Sequence, residues 1–510
     1  MKEQKDIKSS LATTRRDFVK TAAMGAAAAA AFTIVPRHVL GKGFLAPSDT
    51  LYIAAVGVAG KGTSDIEGFL TNSKAKIAFL CDVNDLQAGP TYAKYPNAKR
   101  YADWRELFDK ESKNFDAVSV STPDHTHAVV GSAAIVLGKH IWIQKPLTHD
   151  IYEARVLADL AKKYKVVSQM GNQGASNDGT RKLKEWFEAG LIGDIQEVHA
   201  WTNRPIWPQG IKWSTKTAIP PSTLNWDLWQ GTAPKKEYPA SAAEGGIALV
   251  PFSWRGFWDY GTGAIGDMGA HLLEAPMNVF DLKEVLSVES SVASLFTNEE
   301  SAPAASFSTL MFAATPKTKG PLKVTWSDGG IIPSRPDEIE PNEVWPTNGT
   351  LFIGTKGKMF ADTYAANAKL LPVSRMDGLE IAEKYKRVPE GANGHYAQWV
   401  EASIAGYGKM EVSSPFDKAA LLTEAMLLAN LSIRGYTMGI EGPPMAARTG
   451  TPTAGAGGPG GFGGGGPRRL FPSRNKKLMW DYANMKVTNI PEINRFVKRE
   501  YRAPWSLSGV

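Results

Sequence analysis

From Leu51 onward, short apolar runs of strand type alternate with stretches of helical period. Leu51-Tyr52-Ile53-Ala54-Ala55-Val56 is continuously apolar and ends in a glycine-rich turn, after which a helical stretch runs to about Leu70. The same pairing recurs at Lys76 to Cys81 with a helix near Gln87 to Tyr95, and at Ala117 to Ser121 with a helix over Ala128 to Leu137. His140 to Ile143 follows. Strands apolar on both faces and separated by helices belong to a parallel sheet covered on both sides. The pattern predicts an α/β, doubly wound (Rossmann) domain over residues 47–172.

Beyond residue 172 the texture becomes α+β. Tryptophans are dense (Trp201, Trp207, Trp213, Trp226, Trp229, Trp254, Trp258) and Pro-rich connections lengthen. Ser287 to Phe296, Ser306 to Ala313 and Leu322 to Trp326 predict a large, mainly antiparallel second sheet, with helices near Gln398 to Ala405 and Lys418 to Asn430. We assign residues 173–449 to this substrate and oligomerisation domain; an exposed sheet face would suit a homo-oligomer. Residues 450–468 are nearly all Gly, Pro, Ala and Thr, a flexible-loop composition. Ordinary composition resumes at Leu470, so residues 469–510 are expected to pack back on the body.

With 43% hydrophobic and 21% charged residues over 510, the chain can bury a large core, which excludes disorder for most of it. One cysteine, Cys81, excludes an internal disulfide and a thiolate metal cluster. Of the net charge of +7, residues 1–46 carry +5, from eight Lys/Arg against three acids, leaving +2 for the other 464 residues. No nucleic-acid surface is implied.

Within residues 1–46, Thr14-Arg15-Arg16-Asp17-Phe18-Val19-Lys20 precedes an alanine-rich run from Thr21 to Phe32, too short for a stable membrane span of about 20 residues. The arginine pair followed by Phe, Val and Lys resembles the twin-arginine signal of bacterial export, which engages machinery for folded proteins. A periplasmic location follows from that reading; an incidental Arg-Arg pair is the alternative.

Gly57-Val58-Ala59-Gly60-Lys61-Gly62 directly follows the first strand and opens a helix. There backbone amides and the helix N-terminus can receive a pyrophosphate. Ala59 takes the place of the middle glycine of Gly-x-Gly-x-x-Gly, with Gly60 beside it. Asp82, twenty residues after Gly62, ends the next apolar run. An acid there accepts ribose hydroxyls and repels a 2′-phosphate, favouring NAD, while nearby Lys61 leaves NADP open.

Ser121-Thr122-Pro123-Asp124-His125-Thr126-His127 and Gln144-Lys145-Pro146 both end strands where open parallel sheets bind ligands. Together with Gly266-Asp267-Met268-Gly269-Ala270-His271, these motifs resemble the glucose-fructose oxidoreductase, inositol dehydrogenase and rhizopine catabolism (Gfo/Idh/MocA) family, in its bacterial exported type. The resemblance implies that the loop Thr122, Pro123, Asp124, His125 and His127 lies along the dinucleotide, as do Gln144 and Lys145, and that Lys145 is the catalytic lysine. It implies further that Asn172 and Gln173 flank the nicotinamide end. Asp267 and His271 match the family's Asp-x-x-x-His element, one helical turn apart. His271 is then the general base on a sugar hydroxyl, with Asp267 orienting the ring or binding a neighbouring hydroxyl. Lys145 stabilises developing alkoxide. Gln144 stands where relatives carry glutamate, and Glu274 where they often carry aspartate. His125 and His127 have no third ligand at metal-binding spacing, so no metal is expected.

Trp207, Trp254 and Arg255, joined by Asn203-Arg204, lie on loops near the expected site, where aromatic faces and guanidinium groups suit a pyranose ring. The leading expectation is a dehydrogenase acting on a sugar, glycoside or cyclic polyol with NAD tightly held. One alternative is an NAD-dependent redox-neutral glycosidase that oxidises C3, eliminates the aglycone, hydrates and re-reduces. The other is a catalytically silent carbohydrate-binding protein.

Overall fold

A computed structural model of the chain describes residues 49–294, 297–441 and 469–510. The export motif and the Gly/Pro-rich stretch 450–468 lie outside the described residues. Among them, six parallel strands form the first sheet: β1 (Leu51–Val56), β2 (Ala75–Cys81), β3 (Lys99–Tyr101), β4 (Ala117–Val120), β5 (His140–Ile143) and β6 (Ser168–Met170), in the order β3-β2-β1-β4-β5-β6. The direction of winding reverses between β1 and β4, the crevice where such sheets take ligands. Helices Lys61–Leu70, Asp85–Lys94, Trp104–Glu111, His127–Val136 and Ile151–Lys163 connect them. β4 is buried along its whole length, as a strand covered on both faces must be.

The second sheet, again among the described residues, has nine strands. They are β7 (Ile195–Trp201), β8 (Val285–Val292), β9 (Ser306–Phe312), β10 (Leu322–Ser327), β11 (Gly349–Gly354), β12 (Gly357–Ala361), β13 (Ala368–Leu371), and, after the short pair β14 (Ile440–Glu441) and β15 (Arg469–Leu470), β16 (Leu478–Asp481) and β17 (Lys486–Val487). Their order is β13-β12-β11-β7-β10-β9-β8-β16-β17, antiparallel except where β7 runs parallel to β10. β9 alternates buried and less buried positions, the period-two signature of a sheet with one face on the core.

Helix Phe416–Thr437 joins the layers, packing against helix Ile151–Lys163 and β6 on one side and β8 and β9 on the other. It is buried around most of its circumference, which fits a helix enclosed between layers. Here Arg155 grips Glu424 with two hydrogen bonds of 2.7 Å, and Trp480 of β16 donates to the same carboxylate at 3.0 Å. A buried carboxylate is tolerable only with such partners. No helix of the described residues is long and apolar enough to cross a membrane.

Candidate active site

The glycine turn after β1 is shaped by what its neighbours leave no room for. Gly57 has φ +77°, and a Cβ there would stand 2.7 Å from the backbone of Ser121 and Thr122. A Cβ on Gly62 would stand 1.9 Å from the Gly57 carbonyl oxygen. Both glycines therefore serve close packing of the turn and helix against the end of β4, and Gly62 does not line the cavity beside them. Gly60, at the helix N-terminus with φ +54°, has nothing within 4 Å of its Cβ position. That is open space in front of a helix start, the cradle a pyrophosphate requires.

A cavity of about 420 Å³ runs across the carboxyl ends of the strands. It is lined by Gly57, Ala59, Gly60, Asp82, Thr122, Pro123, Asp124, Gln144 and Lys145 of the expected residues, and by Trp254, Arg255 and Asp267 from the second domain. Asp82 accepts from the Val58 amide at 2.8 Å and the Asn84 amide at 2.9 Å. Burial pushes its carboxyl up, and these amides oppose the shift. The donor set and the open turn fit a dinucleotide. Lys61 is committed elsewhere, 2.6 Å from Asp65 and 2.8 Å from the Tyr396 hydroxyl.

Lys145 reaches across the cavity to the helix Gly263–Leu272. Its Nζ donates to Asp267 Oδ1 and to the Asp267 carbonyl oxygen, both at 2.8 Å. Arg255 donates to the same Oδ1 at 3.4 Å, and its guanidinium lies 4.4 Å from the Trp254 ring centroid and 4.5 Å from that of Phe252. Burial alone would raise the Asp267 pKa, but the Lys145 and Arg255 charges more than offset it and hold the carboxyl below its ordinary value. Asp267 is thus a carboxylate shared by two cations. Both cations meet the same oxygen, Oδ1.

His271 lies one turn further along, outside the cavity lining, 8% exposed, with its ring edge-on to Tyr364 at 4.9 Å between centroids. Its Nδ1 is buried without a hydrogen-bond partner among the described residues. Burial, then the Lys145 charge, lowers its pKa to about 3, so the ring is neutral.

Several expected contacts turn out otherwise. His125 is fully buried, bonded to the Trp229 carbonyl at 3.0 Å and packed against Trp229 and Tyr260, so it faces the second domain and not the cavity. His127 bridges the Pro146 and Thr122 carbonyls at 2.9 and 2.8 Å, bracing the two strand-end loops from behind. Asn172 donates to Glu274 at 3.0 Å, and Gln173 bonds the Tyr396 hydroxyl at 2.7 Å; neither lines the cavity. Trp207 is buried beside Phe252, and Arg204 bonds Asn203; both stand off the cavity lining. Sequence reasoning missed Trp104, Phe252 and Trp505, which do line it. Phe252 and Trp104 sit next to recognised residues or a strand end, whereas nothing local marks Trp505.

Two family models match the chain: "Oxidoreductase family, NAD-binding Rossmann fold" over residues 51–172 and "Oxidoreductase family, C-terminal alpha/beta domain" over 179–300. The levoglucosan dehydrogenase of Pseudarthrobacter phenanthrenivorans is 25% identical over 34% of this chain and 34% of its own length. The myo-inositol 2-dehydrogenase of Thermotoga maritima is 28% identical over 31% of this chain and 46% of its own. The chain thus spans less than half the length of these relatives. The WlbA dehydrogenase from Bordetella pertussis, solved in complex with NADH and UDP-GlcNAcA, is similar in fold: TM-score 0.51, 16% identity, 76% of this chain and 97% of that one. A glycine cradle, a strand-end acid and a lysine-carboxylate pair thus lie around one cavity, and residues 51–172 and 179–300 are similar, in that order, to the two domains of the GFO_IDH_MocA oxidoreductase models.

Proposed function

We propose that the protein moves hydride between NAD and a secondary hydroxyl carbon of a sugar, glycoside or cyclic polyol. The observation that carries this reading is the Lys145–Asp267 contact of 2.8 Å within the same cavity as the glycine turn and Asp82. The bound nicotinamide supplies the hydride acceptor or donor. Lys145 holds positive charge where a substrate alkoxide develops, and Asp267 with Arg255 fixes the position of that charge. His271, held neutral one helical turn beyond Asp267 and just outside the cavity lining, is the base to which the hydroxyl proton would pass once substrate is bound. Phe252, 42% exposed at the cavity wall, offers an apolar surface for a ring. Relatives named for levoglucosan and for myo-inositol support a polyhydroxylated substrate. NAD is favoured over NADP because Asp82 repels a 2′-phosphate and the Lys61 charge is already paired with Asp65. The Arg15-Arg16 motif supports export to the periplasm, where a tightly held cofactor would be needed.

The test is a panel of sugars, glycosides and cyclic polyols given to the purified holoenzyme, with nicotinamide absorbance and product structure followed together. A keto product with NADH formed supports the reading. Free aglycone without net NADH would replace it with the redox-neutral glycosidase, and no turnover of any compound would leave a carbohydrate-binding protein.

A further inference from the structure

Trp505 is 9% exposed and nevertheless lines the dinucleotide cavity. Sheet order fixes which end it occupies. Lys145 follows β5, Asp82 follows β2, and Ala102 and Trp104 follow β3, the strand beyond β2 on the side away from β5. An acid at the end of the second strand takes the ribose of the adenosine half, so the space beyond it over β3 is the adenine side. There the Trp505 ring stands 6.2 Å from the Trp104 ring, with the Arg105 guanidinium 4.5 Å from its centroid.

The segment carrying this indole is tied down on both flanks. Arg499 bonds Glu153 at 2.9 Å, Arg502 bonds Asp227 at 2.7 Å and the Gly231 carbonyl at 2.7 Å, and the Ser508 amide donates to Ser132 at 3.1 Å. A ring fixed in place before the ligand arrives loses little conformational freedom on binding.

We propose that Trp505 is an adenine-binding residue and that segment 499–508 is a fixed clamp on the adenosine half of the cofactor. The inference rests on the dinucleotide reading of this cavity. Stacking of a base on an aromatic ring is sequence-independent and substantial, so loss of the indole weakens every adenosine-bearing ligand.

The test titrates wild type, Trp505→Ala and Trp505→Phe, each first freed of any bound nucleotide, with ADP, NAD and nicotinamide mononucleotide by calorimetry. We expect Trp505→Ala to bind ADP and NAD about tenfold or more weakly, with mononucleotide affinity unchanged and Trp505→Phe close to wild type. Equal ADP affinity in Trp505→Ala and wild type overturns the proposal, as does an equal loss for the mononucleotide. Should Trp505→Ala fail to fold, tryptophan fluorescence decides: ADP quenches the wild type, and Trp505→Phe loses much of that quench; an unaltered quench overturns the proposal. Wild type that binds neither ADP nor NAD defeats the dinucleotide reading itself, whereas wild-type binding with no Trp505 effect defeats the clamp alone.

Discussion

The side-chain amide of Gln144 donates to both carboxylate oxygens of Asp65, at 2.9 and 2.8 Å, and its own oxygen accepts from the Lys145 amide. Asp65 is fully buried and also takes Ser121 and Lys61. An amide at position 144 therefore lets the residue before the lysine meet a carboxylate without charge repulsion.

Gln144→Glu would set two carboxyls face to face, and one must keep a proton in the folded state. Its folded pKa is then raised above the unfolded value of about 4.3. The sign follows: the deficit against wild type is small below that value and grows as pH rises through the raised pKa, reaching about 2 kcal/mol. Melting temperatures of both proteins across pH check this; a deficit independent of pH contradicts it.

Lys145→Met should lower kcat about 10²- to 10³-fold, the loss seen when one preorganised electrostatic group is removed. ADP affinity should be little changed, because Lys145 binds Asp267 and not the adenosine end. Steady-state kinetics on the first active substrate and ADP calorimetry read the two effects separately.

His271→Gln should cost about 10²- to 10⁴-fold in kcat/KM. In wild type the folded pKa of His271 is depressed to about 3. Its stability contribution is therefore present above the unfolded pKa of about 6.5 and lost as pH falls through the folded one. The kcat/KM profile should show no acidic limb near about pH 6.5, the ordinary imidazole value. A limb there would mean that the ring is not held neutral in the free enzyme.

Glu274 is buried, and burial pushes its pKa up to about 7 against the opposing Lys418 charge and the Asn278 and Asn172 hydrogen bonds. With the folded value raised, its stability contribution is complete below the unfolded pKa and is lost as pH rises through the folded one. Glu274→Gln should therefore lose less stability than wild type between about pH 5 and pH 8, by about 2 kcal/mol. Chemical denaturation at the two pH values measures it.

Replacing Arg15 and Arg16 by Lys should keep the precursor in the cytoplasm of an exporting bacterium. Cell fractionation reads the outcome, and unchanged secretion defeats the twin-arginine reading.

The first sheet was legible because its longer strands are apolar on both faces: Leu51–Val56 and His140–Ile143 stand as the pattern predicts. β3 and β6, three residues each, carry too little pattern to stand out. In the second domain the long runs at β8, β9 and β10 were readable, but β7 was not: His199 and Glu197 interrupt its apolar positions, and its place between β11 and β10 is a tertiary fact. At the site, spacing from a strand end located Asp82, Gln144 and Lys145. Spacing could not tell which side chains of Asp124-His125-Thr126-His127 turn inward, since the short helical turn there sends Asp124 to the cavity and buries His125 behind it. Nor does an i, i+4 relation within one helix show that Lys145, arriving from another strand, meets Asp267.

The wall contributed by Trp505 comes from more than four hundred residues away from the Asp82 end of the same cavity. A pocket walled by so distant a segment is complete only when both ends of the body are in place. Its ligand therefore reports on the integrity of the entire body, and an excised fragment holding residues 51–172 alone would grip the nucleotide less firmly than the intact chain.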